Sequence, residues 1–225
     1  MARLRRLAVA GRAHWVIQRA LPGITLFVDD IDRQAWLDAV REACAGLHIQ
    51  VHAWALLPGE VQLLVTPPEP AALSLAMQAV GRRYVSAYNR RHHRSGTLWD
   101  GRFRAAVVEP GAPLLGVLEL VDAAAGADAG PLHASATHRV GAHRIPLVVD
   151  PVEYWQLGNT PFEREAAWKL RLAQGRGGLD VERLRQAALG GWVIGSPAFA
   201  AEVSAGSGRP AAPRPRGRPP RRADG

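Results

Sequence analysis

The stretch that decides the fold is residues 50–66, which read QVHAWALLPGEVQLLVT. Two apolar runs, 50–57 and 60–66, flank the pair Pro58-Gly59. Short apolar runs separated by two turn residues are typical of a β-hairpin. Glu60 and Gln62 are two positions apart, so a strand places both side chains on the same face of the sheet. The stretch therefore predicts a hairpin that carries two polar side chains on one face of an otherwise apolar sheet.

The flanking sequence predicts the remaining elements of an α+β domain. Residues 13–19 and 104–109 are apolar runs of strand length, and residues 112–124 have a helical pattern. Asp29 offers an N-cap for a first helix, and the prolines of 67–70 precede a second. The order strand, helix, strand, strand, helix, strand, helix predicts a ferredoxin-like antiparallel sheet with helices on one face. The apolar stripes of the two helices are Trp36, Leu37, Val40, Cys44 and Leu47, and Leu73, Met77, Val80, Tyr84 and Tyr88.

The pattern changes after residue 130 and divides the chain into four parts. We assign 1–130 to the α+β domain and 131–158 to an irregular connector, whose histidines at 133, 138 and 143 have a spacing that suits a solvated loop better than a metal site. Residues 159–206 predict three short helices separated by glycine turns, either a helix-turn-helix-like module or a cap on the main domain. Residues 207–225, rich in arginine and proline, predict a disordered basic tail.

Positive charge is concentrated in two places. The net charge is +8, and Lys169 is the only lysine, so arginine supplies nearly all of the positive charge. Residues 81–104 contain seven arginines and one acidic residue among aromatic residues, a mixture that suits phosphate pairing and base stacking. The tail carries +5 of the total and suits sequence-independent contact with a phosphate backbone. The predicted DNA-binding residues are Arg82, Arg83, Arg90, Arg91, Arg94, Arg102 and Arg104, with Arg214, Arg216 and Arg218 in the tail.

The sequence also predicts the compartment. No apolar run approaches the length of about 18 residues that a membrane span needs. The basic start of the chain is not followed by a secretory apolar segment. Cys44 is the only cysteine, so no internal disulfide is expected. We expect a cytoplasmic, nucleoid-associated protein, and the pattern does not determine its oligomeric state.

Several segments together resemble a family of bacterial enzymes. The run Leu56–Val65 resembles the metal-binding strand of single-tyrosine transposases of the His-hydrophobic-His class. The stretch from Tyr88 to Phe103 resembles the transposases associated with repetitive extragenic palindromes (REP), in which a Tyr-Asn-Arg-Arg-His helix end precedes Gly-X-Leu-Trp-X-Gly-Arg-Phe. Segments 28–35, 154–161 and 213–219 resemble the same family in the same order along the chain.

The resemblance implies a chemistry whose four key positions have changed in this chain. In the family, two histidines and a helix side chain hold a divalent metal, and a tyrosine attacks the scissile phosphate. The histidine positions correspond to Glu60 and Gln62, the tyrosine position to Leu120 and the third ligand position to Ala124. An aliphatic side chain cannot attack phosphorus. The resemblance therefore implies a catalytically inactive relative that binds DNA, preferably hairpins or single-stranded ends, with no cofactor expected.

Two alternatives remain open at this point. Glu60 and Gln62, with Asp122, could hold a weakly bound Mg²⁺ or Mn²⁺ that activates water in a residual endonuclease, because oxygen ligands suit both ions. The chain could instead be a protein that interacts with partners other than DNA, or the product of a decaying gene.

Overall fold

The computed structural model describes residues 6–126, 129–175 and 180–213. The candidate residues Arg214, Arg216 and Arg218 lie outside these ranges. The elements are β1 (Ala13–Arg19), α1 (Asp30–Gly46), β2 (Gln50–Leu57), β3 (Glu60–Thr66), α2 (Ala72–Arg91), β4 (Arg104–Val108), α3 (Ala112–Ala123), α4 (Ala136–Arg139), α5 (Val152–Trp155), α6 (Pro161–Gln174), α7 (Val181–Gly190) and α8 (Pro197–Ser207).

Four strands form one antiparallel sheet in the order β2-β3-β1-β4. The predicted hairpin is confirmed, with Leu57 paired to Glu60 across the Pro58-Gly59 turn. This order places β1 and β3 at the centre of the sheet and β2 and β4 at its edges. The predicted α+β class with a ferredoxin-like antiparallel sheet is confirmed.

Helices cover both faces of this sheet rather than one. Val16, Leu63 and their neighbours on the first face pack against α1 and α2. On the second face, Leu64 and Ala106 pack with α3, with Trp168 of α6 and with Ala188 of α7. Strand residues alternate between the faces, and both sets are apolar, so each face needs a cover. The prediction placed the helices on one face and left open whether residues 159–206 cap the domain; α3, α6 and α7 cover the second face.

The three C-terminal helices begin at side chains that cap them. Thr160 accepts a hydrogen bond from the Glu163 amide, and the Glu163 carboxylate accepts one from the Thr160 amide, which completes a capping box. At the start of α7, the Asp180 side chain accepts a hydrogen bond from the Arg183 amide. At the start of α8, the Ser196 side chain accepts one from the Phe199 amide. α7 packs along β4 and β1, and Phe199 of α8 packs in a small cluster with residues of the N-terminal segment and β4. None of the helices in the described ranges is long and apolar enough to cross a bilayer.

The connector is held against the sheet and the second helical cover by a buried ion cluster. Arg139 is fully buried and donates to both Asp122 carboxylate oxygens at 2.7 Å and to Asp150 at 3.0 Å. Trp168 of α6 also donates to Asp122 at 3.0 Å. His138, expected in a solvated loop, lies 3.3 Å from the Asp150 carboxylate. The solvated-loop expectation is wrong at this point, because a buried arginine needs the carboxylates that this segment and α3 supply.

Candidate functional site

The two candidate metal ligands lie side by side on the second face of the sheet. Glu60 and Gln62 are both about 95% buried, at 6% and 5% exposure. Gln62 Nε2 donates to Glu60 Oε1 at 2.8 Å, and Trp15 Nε1 donates to Gln62 Oε1 at 3.3 Å. The amide therefore uses its donor and its acceptor within the protein.

A guanidinium group from α7 binds the Glu60 carboxylate. Arg185 donates through Nη1 to Glu60 Oε1 at 2.8 Å and through Nη2 to Oε2 in a short, two-pronged contact. These hydrogen bonds raise the pKa of Arg185 above its usual range. Three donors thus reach the Glu60 carboxylate, one from Gln62 and two from Arg185. The positive charge beside these two side chains is supplied by the protein itself.

The other two positions of the resemblance contribute no reactive group. Leu120 is buried within the apolar cluster of the second face, and Ala124 follows the last residue of α3. Asp122, the third oxygen ligand considered for a nuclease, is committed to Arg139, Ser135 and Trp168. Within the described ranges, no group of three or more His, Cys, Asp or Glu side chains is arranged to hold a metal ion.

All three tyrosines of the chain direct their hydroxyl groups to backbone carbonyls. Tyr84 donates to Leu26, Tyr88 donates to Thr25 at 2.7 Å, and Tyr154 donates to Arg139 at 3.0 Å. Burial is the main cause that raises the pKa of each phenol, in Tyr154 to about 12. A phenol used as a nucleophile needs the opposite change, toward easier ionisation. These tyrosines support the packing of the domain.

The candidate arginines of 81–104 divide into exposed and internally paired groups. Arg82, Arg90, Arg102 and Arg104 are exposed on α2, on the loop after it and at the start of β4. Arg94, less exposed, donates to Asn89 Oδ1 at 3.1 Å.

Two more of the candidates hold ion pairs with α1 or its N-cap. Arg83 pairs with Glu42. Arg91 binds Asp29 and Asp32, and its hydrogen bonds lower the pKa of Asp29 to about 2. The pKa of Asp32 is also lowered, because hydrogen bonds from His92 and Arg91 outweigh the effect of burial. The Arg91 side chain therefore holds the end of α2 to the start of α1.

Sequence reasoning missed the residues that act through long-range contacts. Arg185 is 125 positions from Glu60, and Arg139 is 17 positions from Asp122. Neither arginine lies in a recognised motif, and each lies on a short helix. The available signal was the position of Glu60 and Asp122 among the apolar residues of a predicted strand and a predicted helix. A carboxylate that becomes buried at such a position requires a cationic partner from elsewhere in the chain.

Comparisons with known proteins give a likeness of fold. No protein-family model and no curated protein sequence matches the chain. A solved structure of a REP-associated tyrosine transposase bound to a REP hairpin is similar over 67% of this chain and 92% of that one, with a TM-score of 0.53 and 14% identity. A candidate transposase from Deinococcus radiodurans R1 covers 49% of this chain and 85% of its own, with 21% identity and a TM-score of 0.36, too slight a likeness to support an argument. The chain thus has a fold similar to that of a REP-associated tyrosine transposase, which confirms the predicted resemblance at the level of fold.

Proposed function

We propose that this chain is a DNA-binding protein that uses a transposase fold without transposase chemistry. Its ligand would be a palindromic DNA hairpin or a single-stranded end, and its place in the cell the nucleoid. The observation that carries the proposal is the Arg185–Glu60 ion pair, because it fills a position that the family resemblance gives to a metal ligand. The positions for chemistry hold internal contacts, while Arg82, Arg90, Arg102 and Arg104 remain exposed to solvent.

The geometry supports loss of metal chemistry over a residual nuclease. A metal at Glu60 would have to displace the Arg185 guanidinium from both carboxylate oxygens. Gln62 and Asp122 are also engaged with other side chains, so no oxygen pair is left for Mg²⁺ or Mn²⁺ without rearrangement. The nucleophile position is Leu120, which cannot form a phosphotyrosine link.

The arginines and the likeness of fold support a DNA ligand. The solved transposase with the similar fold is bound to a REP hairpin. In this chain, Arg82, Arg90, Arg102 and Arg104 are exposed near one another in sequence, and arginine pairs well with phosphate oxygens. The high arginine content makes DNA a better ligand than an acidic peptide, because binding to DNA draws on many phosphates at once.

Fluorescence anisotropy tests the proposal with a palindromic hairpin and a scrambled duplex of equal length at two salt concentrations. We expect the hairpin to bind more tightly than the duplex at both. We also expect neither nicking nor a covalent protein–DNA adduct in the presence of Mg²⁺ or Mn²⁺. Equal affinity for both DNAs, lost at the higher salt, would refute hairpin binding, since only unspecific charge contact gives that result. Metal-dependent nicking that disappears in Glu60→Ala would refute the loss of chemistry.

A further inference from the structure

The connector and the start of α6 expose a cluster of large apolar side chains. Most of the large apolar side chains that are exposed in the described ranges lie between residues 149 and 170. Among them, Trp155 is 53% exposed and Phe162 is 81% exposed. A contiguous apolar patch on a protein surface commonly marks a contact with another macromolecule. We call the surface that contains Val149, Val152, Trp155 and Phe162 the connector patch.

A cavity of about 510 Å³ opens in the connector patch. Val149, Trp155 and Pro161 lie in its wall, so these segments meet in space as well as in sequence. The Arg164 guanidinium lies 4.3 Å from the centre of the Trp155 ring and holds that ring against α6. Phe162 follows Pro161 directly, so its exposed ring lies near the margin of the cavity. The connector patch therefore has a projecting aromatic ring beside a cavity with a partly apolar wall.

The charged side chains of the same cavity balance in sign. Arg144 and Arg164 line it together with Asp150 and Glu165. The side chains of Arg144 and Glu165 form no ion pair or hydrogen bond with any residue in the described part of the chain. A net charge of +8 repels a second copy of the chain, and this repulsion is weakest where charges of both signs are present. The connector patch thus presents one cation and one anion that are both available to a partner.

Both edges of the sheet are already hydrogen-bonded to other segments of the chain. On β2, the Leu56 amide donates to the His133 carbonyl at 2.7 Å. On β4, the Ile194 amide donates to the Val107 carbonyl at 2.8 Å. Edge strands join two proteins through unpaired backbone groups, so these bonds disfavour strand pairing between two copies. Contact through side chains at the connector patch is the better route to a dimer.

We infer that the connector patch binds a second copy of this chain in a twofold dimer. In a twofold contact the same patch meets itself, so it must contain both halves of each interaction. The connector patch meets this condition: Phe162 of each copy enters the cavity of the other, and Arg144 of each copy pairs with Glu165 of the other. None of the exposed candidate arginines for DNA lines this cavity, so the inference is independent of the proposed function.

Analytical ultracentrifugation of the full chain, freed of nucleic acid, tests the dimer over a series of protein concentrations. We expect a monomer–dimer equilibrium with a Kd of about 1–100 μM. Phe162→Ser should raise this Kd at least about tenfold, because it removes an aromatic anchor from the contact. Ile31→Ser is the matched control, since Ile31 is 63% exposed on α1, outside the connector patch, and it should leave the Kd within about twofold. Both variants change exposed side chains and should keep the Tm of the wild type.

A charge exchange tests the twofold pairing itself. Arg144→Glu and Glu165→Arg should each weaken self-association at least about tenfold, because each places like charges opposite one another. An equimolar mixture of the two variants should associate as tightly as the wild type, since both pairings across the mixed dimer again join opposite charges. A wild type that stays monomeric at every concentration would overturn the inference and indicate that a ligand or another partner covers the patch. A dimer that Phe162→Ser leaves unchanged, or a mixture that stays monomeric, would overturn it equally.

Discussion

Replacing Arg185 with methionine is expected to destabilise the fold by stranding the Glu60 carboxylate. Methionine keeps most of the apolar stem but removes the guanidinium that gives Glu60 two of its three hydrogen bonds. Removing one partner of a buried ion pair costs about 3–5 kcal/mol. The Arg185 side chain is 32% exposed, so water can replace part of the contact, and we expect a loss of about 2–3 kcal/mol.

Thermal and urea unfolding measure this loss. For a chain of this length, the change corresponds to a decrease in Tm of roughly 4–12 °C. Arg183→Met, on the same helix and exposed, is the matched control and should change the free energy of unfolding by less than about 0.5 kcal/mol.

A double variant separates the ion pair from packing. Glu60→Gln with Arg185→Met removes the buried charge together with its partner, and should recover at least half of the stability lost by Arg185→Met alone. If Arg185→Met unfolds like the wild type, or if the double variant recovers nothing, then Arg185 does not neutralise Glu60 and the reasoning about the lost metal site fails.

Three other predictions follow from the same contacts. Burial lowers the pKa of His14 to about 4, so stability that is present above pH 6.5 should be lost as the pH falls toward 4, by about 3 kcal/mol in total. In urea unfolding at a series of pH values, the free energy of unfolding of His14→Phe should fall less steeply below pH 6.5 than that of the wild type. Arg139→Met should cost about 3–5 kcal/mol in urea unfolding, because buried carboxylates lose their partner, and wild-type stability would contradict the ion cluster. Arg91→Ala should lower Tm while hairpin affinity stays within about twofold, because Arg91 is paired within the protein. Arg82→Ala should weaken hairpin binding and reduce its salt dependence without changing Tm, because Arg82 is exposed. Weaker hairpin binding by Arg91→Ala with an unchanged Tm would show that the paired arginine contacts DNA.

Local pattern was enough for the strands and the first helices. The hairpin at 50–66 follows from apolar runs of strand length on either side of Pro58-Gly59, and Asp29 caps α1 as its position predicts. The side chains of Glu60 and Gln62 share a face because strand periodicity leaves no other arrangement. The three C-terminal helices were likewise predicted from their capping residues and glycine turns.

The candidate site depended on contacts that no local pattern contains. The sequence by itself determined the order of the elements, the apolar faces and the identity of the residues at the four altered positions, because each of these depends on neighbours within a few positions. Only the tertiary structure decided that Arg185 binds Glu60 and that α6 and α7 cover the second face. A buried charge is satisfied by whichever group the folded chain brings within about 3 Å, and sequence separation gives no measure of that distance.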